Sequence, residues 1–218
     1  LPRLSIMEKS FPGSCVVNKN GERFANESQN YMAFQKELFK AHSDDNPCAP
    51  AYHVFDARFR RNYIVGPMMT ASMKPDWTIP KKWYDTGFVA KANTVRELAE
   101  DLGVDADGLE ATVAKMNSYA ETGVDLDFHR GESEYDRYYA DPSIVPNPCL
   151  APIAEAPFYA MRIEAGDFGT LGGLDTDNNA NVMHEQGGTI GGLYAIGNCS
   201  AAILPTYPGP GATLGPAM

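Results

Sequence analysis

The fold of this chain is decided by two stretches near its end, GLYAIGN at residues 192–198 and TYPGPGATLGP at residues 206–216. The first reads as a short, buried apolar strand that ends in a glycine and a polar side chain, and the glycine lets the backbone approach a flat ligand closely. The second is a rigid glycine- and proline-rich loop that leads into a helix, where free N–H groups and the helix dipole attract negative charge. Either stretch alone is also typical of a surface loop. Together they predict a flat ligand that carries negative charge, such as reduced flavin.

Further motifs lie upstream, and together they resemble a known family. They are ERFANESQNY at 22–31, YDRYYADP at 135–142, PNPCL at 146–150, APFYA at 156–160 and GGLDTD at 172–177. With the two C-terminal stretches these motifs cover nearly the whole chain. The sequence is similar to the C-terminal end of the fumarate reductase/succinate dehydrogenase flavoprotein superfamily and, more narrowly, to the 3-ketosteroid Δ1-dehydrogenases.

The resemblance implies that FAD is the cofactor of the intact enzyme. Family members bind FAD through an N-terminal Rossmann-type domain with a G-x-G-x-x-G motif, and this sequence contains no such motif. The chain opens without Met and closes where Pro216 would begin a helix, so we expect the whole protein to be longer. We interpret residues 1–160 as the substrate (catalytic) domain and residues 161–218 as a C-terminal segment that returns to the FAD domain. The chain alone is expected to bind FAD weakly or not at all.

The resemblance also implies a set of catalytic residues. By motif position, Tyr31 would take the acidic α-proton of the substrate, and a base role at neutral pH requires a partner that stabilises its phenolate. The hydroxyl of Tyr207 and the backbone N–H of Gly211 would donate to the ketone oxygen, as in an oxyanion hole. The alternatives remain open at this point: Tyr31 as a packed aromatic at a helix start, and Gly211 as a turn glycine beside a core Tyr207.

Five residues of the two C-terminal stretches are expected to contact the flavin. Related flavoproteins place an acidic residue against the ribityl chain where this sequence has Asn198, which keeps the hydrogen bond without the charge. Gly197 precedes it and permits close backbone approach. Backbone N–H groups at Ala212, Thr213 and Leu214 are assigned to the pyrimidine edge.

The first half of the chain predicts a hairpin, a helix and a strand. Residues 15–24 read as a hairpin in which Asn20 and Gly21 supply the positive φ angles of the turn. A helix through 32–41 has Phe34, Leu38 and Phe39 on one face, and residues 52–55 read as a strand. Residues 56–92 show no clear period and are interpreted as irregular.

The second half contains the clearest helices. Thr94 and Glu97 form a capping box, and Gly103 can end that helix. Asp105 can cap a second helix with an apolar stripe that ends before Gly123. A long polar loop at 125–152 is of the kind that forms a lid or pocket wall. A strand follows at 157–165, residues 181–183 and 189–190 frame a turn at Gly187 and Gly188, and residues 192–196 read as a buried strand. The fold class is α+β: a mixed or antiparallel sheet with packed helices.

Composition excludes several classes of function. A formal net charge of -10 repels phosphate backbones, which argues against a nucleic-acid partner, and no apolar run is long enough for a transmembrane segment. The four cysteines and four histidines show no metal-ligand spacing, so no metal site is expected. Scattered thiols favour a cytoplasmic location. The sequence leaves open the electron acceptor and whether the protein forms an oligomer.

Three rival interpretations remain. Fumarate or succinate chemistry needs Arg and His clamps for two carboxylates, whereas Gly169 stands where related fumarate reductases have His. A 3-oxo-5α-steroid 4-dehydrogenase is a nearer relative, but its C-terminal loop differs from TYPGPGATLGP. A non-catalytic fragment that only binds or oligomerises is the alternative from another class. The apolar, tyrosine-containing loop favours a ketosteroid-like substrate.

Overall fold

The structure is a computed structural model that describes residues 6–166, 172–202 and 204. The chain forms two compact units that divide between Ala165 and Gly166. Each unit has its own sheet. The described elements are a mixture of helices and antiparallel strands, so the expected α+β class is confirmed.

A four-stranded antiparallel sheet forms the centre of the first unit. Its strands lie in the spatial order β1, β2, β4, β3, so β4 returns from the second half of the chain to pair with both β2 and β3. Because side chains alternate along a strand, each face of the sheet builds its own core. The strands are β1 (Ser14–Val17), β2 (Ala51–Phe55), β3 (Val89–Ala92) and β4 (Phe158–Ile163).

Two capped helices cover one face of this sheet. Helix α4 (Val95–Leu102) begins with the complete capping box of Thr94 and Glu97, and Gly103 ends it at φ 62°. Helix α5 (Ala106–Thr122) begins at the Asp105 cap and ends at a left-handed glycine. The predicted stripe of α5 is buried and packs against alternate residues of all four strands. Both helices are confirmed; the stripe comprises Leu109, Val113, Met116, Tyr119 and Ala120.

The opposite face of the sheet is covered by further helices, of which α1 (Tyr31–Ala41) is the longest. Phe34 and Leu38 are buried as predicted, but the prediction for Phe39 was wrong because this residue is 61% exposed. Residues four apart share a helix face, whereas Phe39 lies one step around the helix from Leu38 and points to solvent.

The prediction that residues 56–92 are irregular was wrong. This segment contains α2 (Ala57–Asn62), a 3₁₀ turn (Asp76–Thr78), α3 (Lys81–Asp85) and β3. Asp56 caps α2 by accepting a hydrogen bond from the backbone N–H of Phe59 at 2.9 Å. Elements this short complete too few turns to produce a hydrophobic period, which is why the sequence did not reveal them.

The turn predicted at residues 15–24 exists, but its geometry differs from the prediction. The second arm is a single bridge between Val17 and Arg23, and of the two turn residues only Gly21 has a positive φ, 73°. The side chain of Asn18 builds the turn, since its oxygen accepts from the N–H groups of Asn20 and Glu22 at 2.9 Å each. A Cβ at Gly21 would lie 2.3 Å from the backbone nitrogen of Leu109, so no larger residue fits.

The second unit contains a two-stranded antiparallel hairpin, β5 (Asn181–Met183) with β6 (Thr189–Tyr194). Both strands were predicted. The prediction that 192–196 is a buried strand was wrong: every residue of β6 is exposed, and Ala195, which is buried, lies just beyond it. Within the described part of this unit, the hairpin has no second layer to cover it.

The remaining elements are two further one-turn helices and α6. The 3₁₀ helices are Glu8–Ser10 and Gly197–Cys199, and α6 spans Glu134–Tyr138. None of the helices in the described ranges is both long and apolar enough to traverse a membrane. All four cysteines are unpaired, and the described residues include no group of His, Cys, Asp and Glu that could hold a metal ion.

Candidate functional site

The motif at residues 22–31 connects β1 to α1 and places Tyr31 at the first position of that helix. Asn30 is the N-cap, and its side chain accepts a hydrogen bond from the backbone N–H of Ala33 at 2.8 Å. Tyr31 is half-buried. Its place at a helix start was predicted, and its proposed role as a base rests on what holds this segment in place.

A buried carboxylate, Glu27, is the main anchor of the motif. Arg23 donates to it from Nε at 2.8 Å and from Nη2 at 2.7 Å, and the backbone N–H of Val16 donates at 3.1 Å. Burial acts to raise the pKa of Glu27, but the charges of Arg23 and Arg130 outweigh it and hold the pKa below its ordinary value. Glu27 is therefore ionised at neutral pH and fixed to strand β1.

Residues of the long loop at 125–152 complete this ionic network. Asp125 accepts from both terminal nitrogens of Arg23, at 3.1 and 2.8 Å. Arg130 is fully buried, and its guanidinium donates to the carbonyl of Ser14 at 2.8 Å and to that of Phe11 at 2.9 Å. The loop therefore stabilises the segment that precedes Tyr31.

Lys9 is a buried cation beside the same segment. Its Nζ donates to the carbonyl oxygens of Glu27 and Gln29, each at 2.8 Å, and lies 5.0 Å from the ring centroid of Phe34. Burial, followed by the charge of Arg130, lowers the pKa of Lys9 to about 7. Lys9 and Arg130 were not predicted from the sequence, because nothing local distinguishes them from surface cations.

His53 lies in β2, on the face of the sheet opposite to α4 and α5, and is fully buried. Burial lowers its pKa to about 3, with a smaller contribution from Arg130. Its ring packs against Phe55 and Phe59, with both centroids 5.6 Å away. The imidazole is therefore neutral at neutral pH, and its packing among aromatic rings places His53 in the core.

An open cleft of about 770 Å³ lies against the short helices of the segment 56–92. This volume is within the range of small-molecule sites, about 300–1,000 Å³. Apolar side chains dominate its wall, Arg60 and two lysines also line it, and Tyr31 is not among the lining residues. The apolar lining includes Pro67, Met68, Met69, Ile79, Trp83 and Phe88.

In the second unit, Gly197 and Asn198 form the turn that follows β6. Gly197 adopts a left-handed conformation at φ 59°, and Asn198 is half-buried. Among the described residues the Asn198 side chain has no hydrogen-bond partner. The predicted contact of Gly197 and Asn198 with the ribityl chain of a flavin stays a prediction.

The other predicted site residues lie outside the part of the chain that the structure describes. They are the two predicted oxyanion donors, Tyr207 and Gly211, and the predicted flavin contacts Ala212, Thr213 and Leu214. Of the predicted catalytic set, only Tyr31 has a described position.

Comparison with known protein families assigns the chain to one of them. Residues 5–214 match a protein family described as FAD binding domain. The chain belongs to this FAD-binding family. The match covers almost every residue, so the flavoprotein resemblance seen in the motifs is confirmed.

Two relatives of this FAD-binding chain are named as dehydrogenases of ring ketones. The chain is 44% identical over an alignment of 222 residues to 3-oxosteroid 1-dehydrogenase of Mycobacterium tuberculosis (strain ATCC 25618 / H37Rv). This alignment covers 100% of this chain and 38% of the relative. It is 43% identical over 215 residues to 4-oxocyclohexanecarboxylate 2-dehydrogenase of Sinomonas cyclohexanicum, covering 97% of this chain and 36% of the relative.

A solved structure shares the fold. The 3-ketosteroid Δ1-dehydrogenase of Sterolibacterium denitrificans, solved in complex with 1,4-androstadiene-3,17-dione, superimposes with a TM-score of 0.91 at 44% identity. The match covers 99% of this FAD-binding chain and 38% of the solved one. The chain thus spans well under half the length of the relatives it matches.

Proposed function

We propose that the protein containing this chain is an FAD-dependent 3-ketosteroid Δ1-dehydrogenase, an oxidoreductase that acts on a CH–CH bond. The observation that carries the proposal is the 44% identity to a 3-oxosteroid 1-dehydrogenase along the entire chain. The structural match to a ketosteroid dehydrogenase with a steroid bound supports it. Residues 1–160 serve as the substrate domain, and residues 161–218 return to the FAD domain.

The reaction removes two hydrogens from neighbouring carbons beside a ketone. Bound FAD would supply the acceptor for the hydride that leaves the carbon next to the one that loses its proton. Tyr31 takes the acidic α-proton as a phenolate, and the electron pair of the broken C–H bond forms the new double bond. The position of Tyr31 at the capped start of α1 supports this role, because the helix start is held by a buried ionic network.

The ketone oxygen gains negative charge as the α-proton leaves. The hydroxyl of Tyr207 and the N–H of Gly211 donate to this oxygen and so lower the barrier to enolisation. The prolines of the loop fix its backbone and leave little entropy to lose on binding. Both residues lie outside the described part of the chain, so their roles rest on the motif.

Five further residues are proposed to hold FAD. The side chain of Asn198 donates to the ribityl chain, and Gly197 allows the backbone to approach it closely. Backbone groups of Ala212, Thr213 and Leu214 contact the pyrimidine edge of the ring system. We propose a cytoplasmic enzyme of steroid metabolism, consistent with four unpaired cysteines.

The test is turnover of the full-length, FAD-loaded protein with a 3-keto-4-ene steroid and an artificial electron acceptor. We expect a product lighter by two hydrogens, with the new double bond between C1 and C2 of ring A. A product with the unsaturation elsewhere in the ring would assign a different regiochemistry. The absence of any product would contradict the proposed steroid substrate.

A second candidate substrate is a small cyclic ketone. The observation that favours it is the 43% identity to 4-oxocyclohexanecarboxylate 2-dehydrogenase, close to the value for the steroid enzyme. The chemistry at the ring is the same, namely loss of hydrogens beside a ketone. A higher kcat/KM for 4-oxocyclohexanecarboxylate than for the steroid would favour this candidate.

A further inference from the structure

Lys9 is an ionisable side chain in a place where charge is costly. It lies in the 3₁₀ helix Glu8–Ser10 and is 2% exposed. Lysine is almost never fully buried without a partner, because removing an ammonium from water costs free energy. The two hydrogen bonds of Lys9 go to backbone carbonyl oxygens and not to a carboxylate.

Those two carbonyls belong to the segment that leads directly into helix α1. They are the carbonyls of Glu27 and Gln29, and Tyr31 follows two residues after the second. The ring of Phe34, on the first turn of the helix, lies 5.0 Å from the same ammonium. One cation therefore contacts the chain on both sides of Tyr31.

We propose that Lys9 is a positioning residue for Tyr31, and that its ammonium fixes the entry into α1 so that the phenol points at the substrate. This inference rests on the proposed role of Tyr31 as the base. Lys9 does not touch the substrate. It acts by holding the backbone, since an apolar side chain of equal length would fill the space but leave both carbonyls unpaired.

The main variant is Lys9→Met in the full-length, FAD-loaded enzyme, because Met is an unbranched side chain only one atom shorter than Lys and has no N–H donors. We expect kcat per bound flavin to fall about tenfold, since small misplacements of a catalytic group cost up to about a hundredfold. We expect KM for the steroid to stay within about twofold. Normalising to bound flavin removes any loss caused by unfolding alone.

The chain offers a matched control in Lys19. Its Nζ also bonds two backbone carbonyls, those of Leu102 and Gly103 at 3.0 Å each, and lies 5.3 Å from the ring centroid of Tyr52. Lys19→Met removes the same chemistry at the end of α4. It is expected to leave kcat per bound flavin unchanged, and an equal loss of kcat in both variants would overturn the inference.

A double-mutant cycle separates positioning from a general effect. If Lys9 acts through Tyr31, adding Lys9→Met to Tyr31→Phe should lower the residual kcat no further. An equal factor in both backgrounds would show that Lys9 acts independently of Tyr31 and would overturn the inference.

A readout without turnover distinguishes this inference from the proposed function. Amide hydrogen exchange of the peptide spanning residues 27–38 should become faster in Lys9→Met and stay unchanged in Lys19→Met. If the wild-type enzyme does not oxidise the steroid, the proposed function fails while this exchange result still decides whether Lys9 holds the start of α1. Unchanged exchange in Lys9→Met would overturn the inference whatever the substrate is.

Discussion

The carboxylate of Glu27 and the guanidinium of Arg23 form a two-point contact, with Nε and Nη2 at 2.8 and 2.7 Å from the two carboxylate oxygens. Their side chains are 0% and 4% exposed. The same guanidinium also bonds Asp125, which is 102 residues away along the chain. A single arginine thus joins the motif before Tyr31 to the long loop of the first unit.

Glu27→Gln is predicted to destabilise the first unit strongly. Removing one partner leaves Arg23 buried without its main counter-charge, which costs about 3–5 kcal/mol in comparable buried pairs. Urea denaturation of the chain, followed by the fluorescence of Trp77 and Trp83, measures the change in unfolding free energy. The control is Glu110→Gln, because Glu110 pairs with Arg96 at the surface and exposed pairs contribute about 1 kcal/mol or less. Equal losses in both variants would contradict a central role for the buried network.

Stability should fall on acidification partly because of His53. Its pKa is about 3 in the folded chain against an ordinary value of 6.5, so below about pH 6.5 the unfolded chain binds a proton that the folded chain does not. The free energy of unfolding should therefore fall as the pH drops from about 6.5 to about 3.

The measurement compares unfolding free energies between about pH 6 and pH 4 in wild type and in His53→Leu. The variant should lose less stability, by up to about 1.4 kcal/mol per pH unit. His129→Asn is the control, since His129 is exposed, and Asn tolerates its positive φ of 58°. If the unfolding free energy of His53→Leu changed with pH as steeply as that of the wild type, His53 would not contribute to the acid sensitivity.

Two glycines with similar backbone angles should respond differently to Ala. Gly123 ends α5 at φ 78°, and a Cβ there would lie 2.7 Å from Cγ of Pro146. Gly87 has φ 65° with nothing within 4 Å of a Cβ. We expect Gly87→Ala to cost about 1 kcal/mol through its backbone conformation, and Gly123→Ala to cost about 1–3 kcal/mol more through crowding. Urea midpoints that coincide would mean that the loop at Pro146 yields without cost.

Tyr207→Phe in the full-length enzyme should lower kcat by about a hundredfold, the scale of one lost oxyanion donor. The fold should be unaffected, because only a hydroxyl is removed. Tyr138→Phe serves as the control, since Tyr138 is 76% exposed. A kcat equal to that of the wild type would remove Tyr207 from the mechanism.

Helices α4 and α5 were predictable because capping residues close in the sequence mark where each helix begins and ends. Thr94 with Glu97, Asp105 and the two left-handed glycines act within a few residues of the positions they mark. The exposure of β6 was not predictable in this way. An apolar run such as GLYAI shows that a strand can be buried, but burial depends on what lies across from it.

The position of Tyr31 could be predicted from its motif, but the support beneath it could not. Lys9 is 18 residues from Glu27, and Arg23 is 102 residues from Asp125. No sequence period links such partners, so only the fold brings them together. His53 likewise could not be assigned from the sequence, since a histidine in an apolar strand has no local signal that distinguishes a core residue from a catalytic one.

The most direct test of the account is anaerobic mixing of the full-length, FAD-loaded protein with a 3-keto-4-ene steroid, with 4-oxocyclohexanecarboxylate and with succinate. The readout is loss of the oxidised flavin absorbance, which needs no external acceptor. We predict that the steroid bleaches the flavin fastest and that succinate does not bleach it. Bleaching by succinate alone would contradict the account, because the chain would then lie in the right superfamily but catalyse a different reaction.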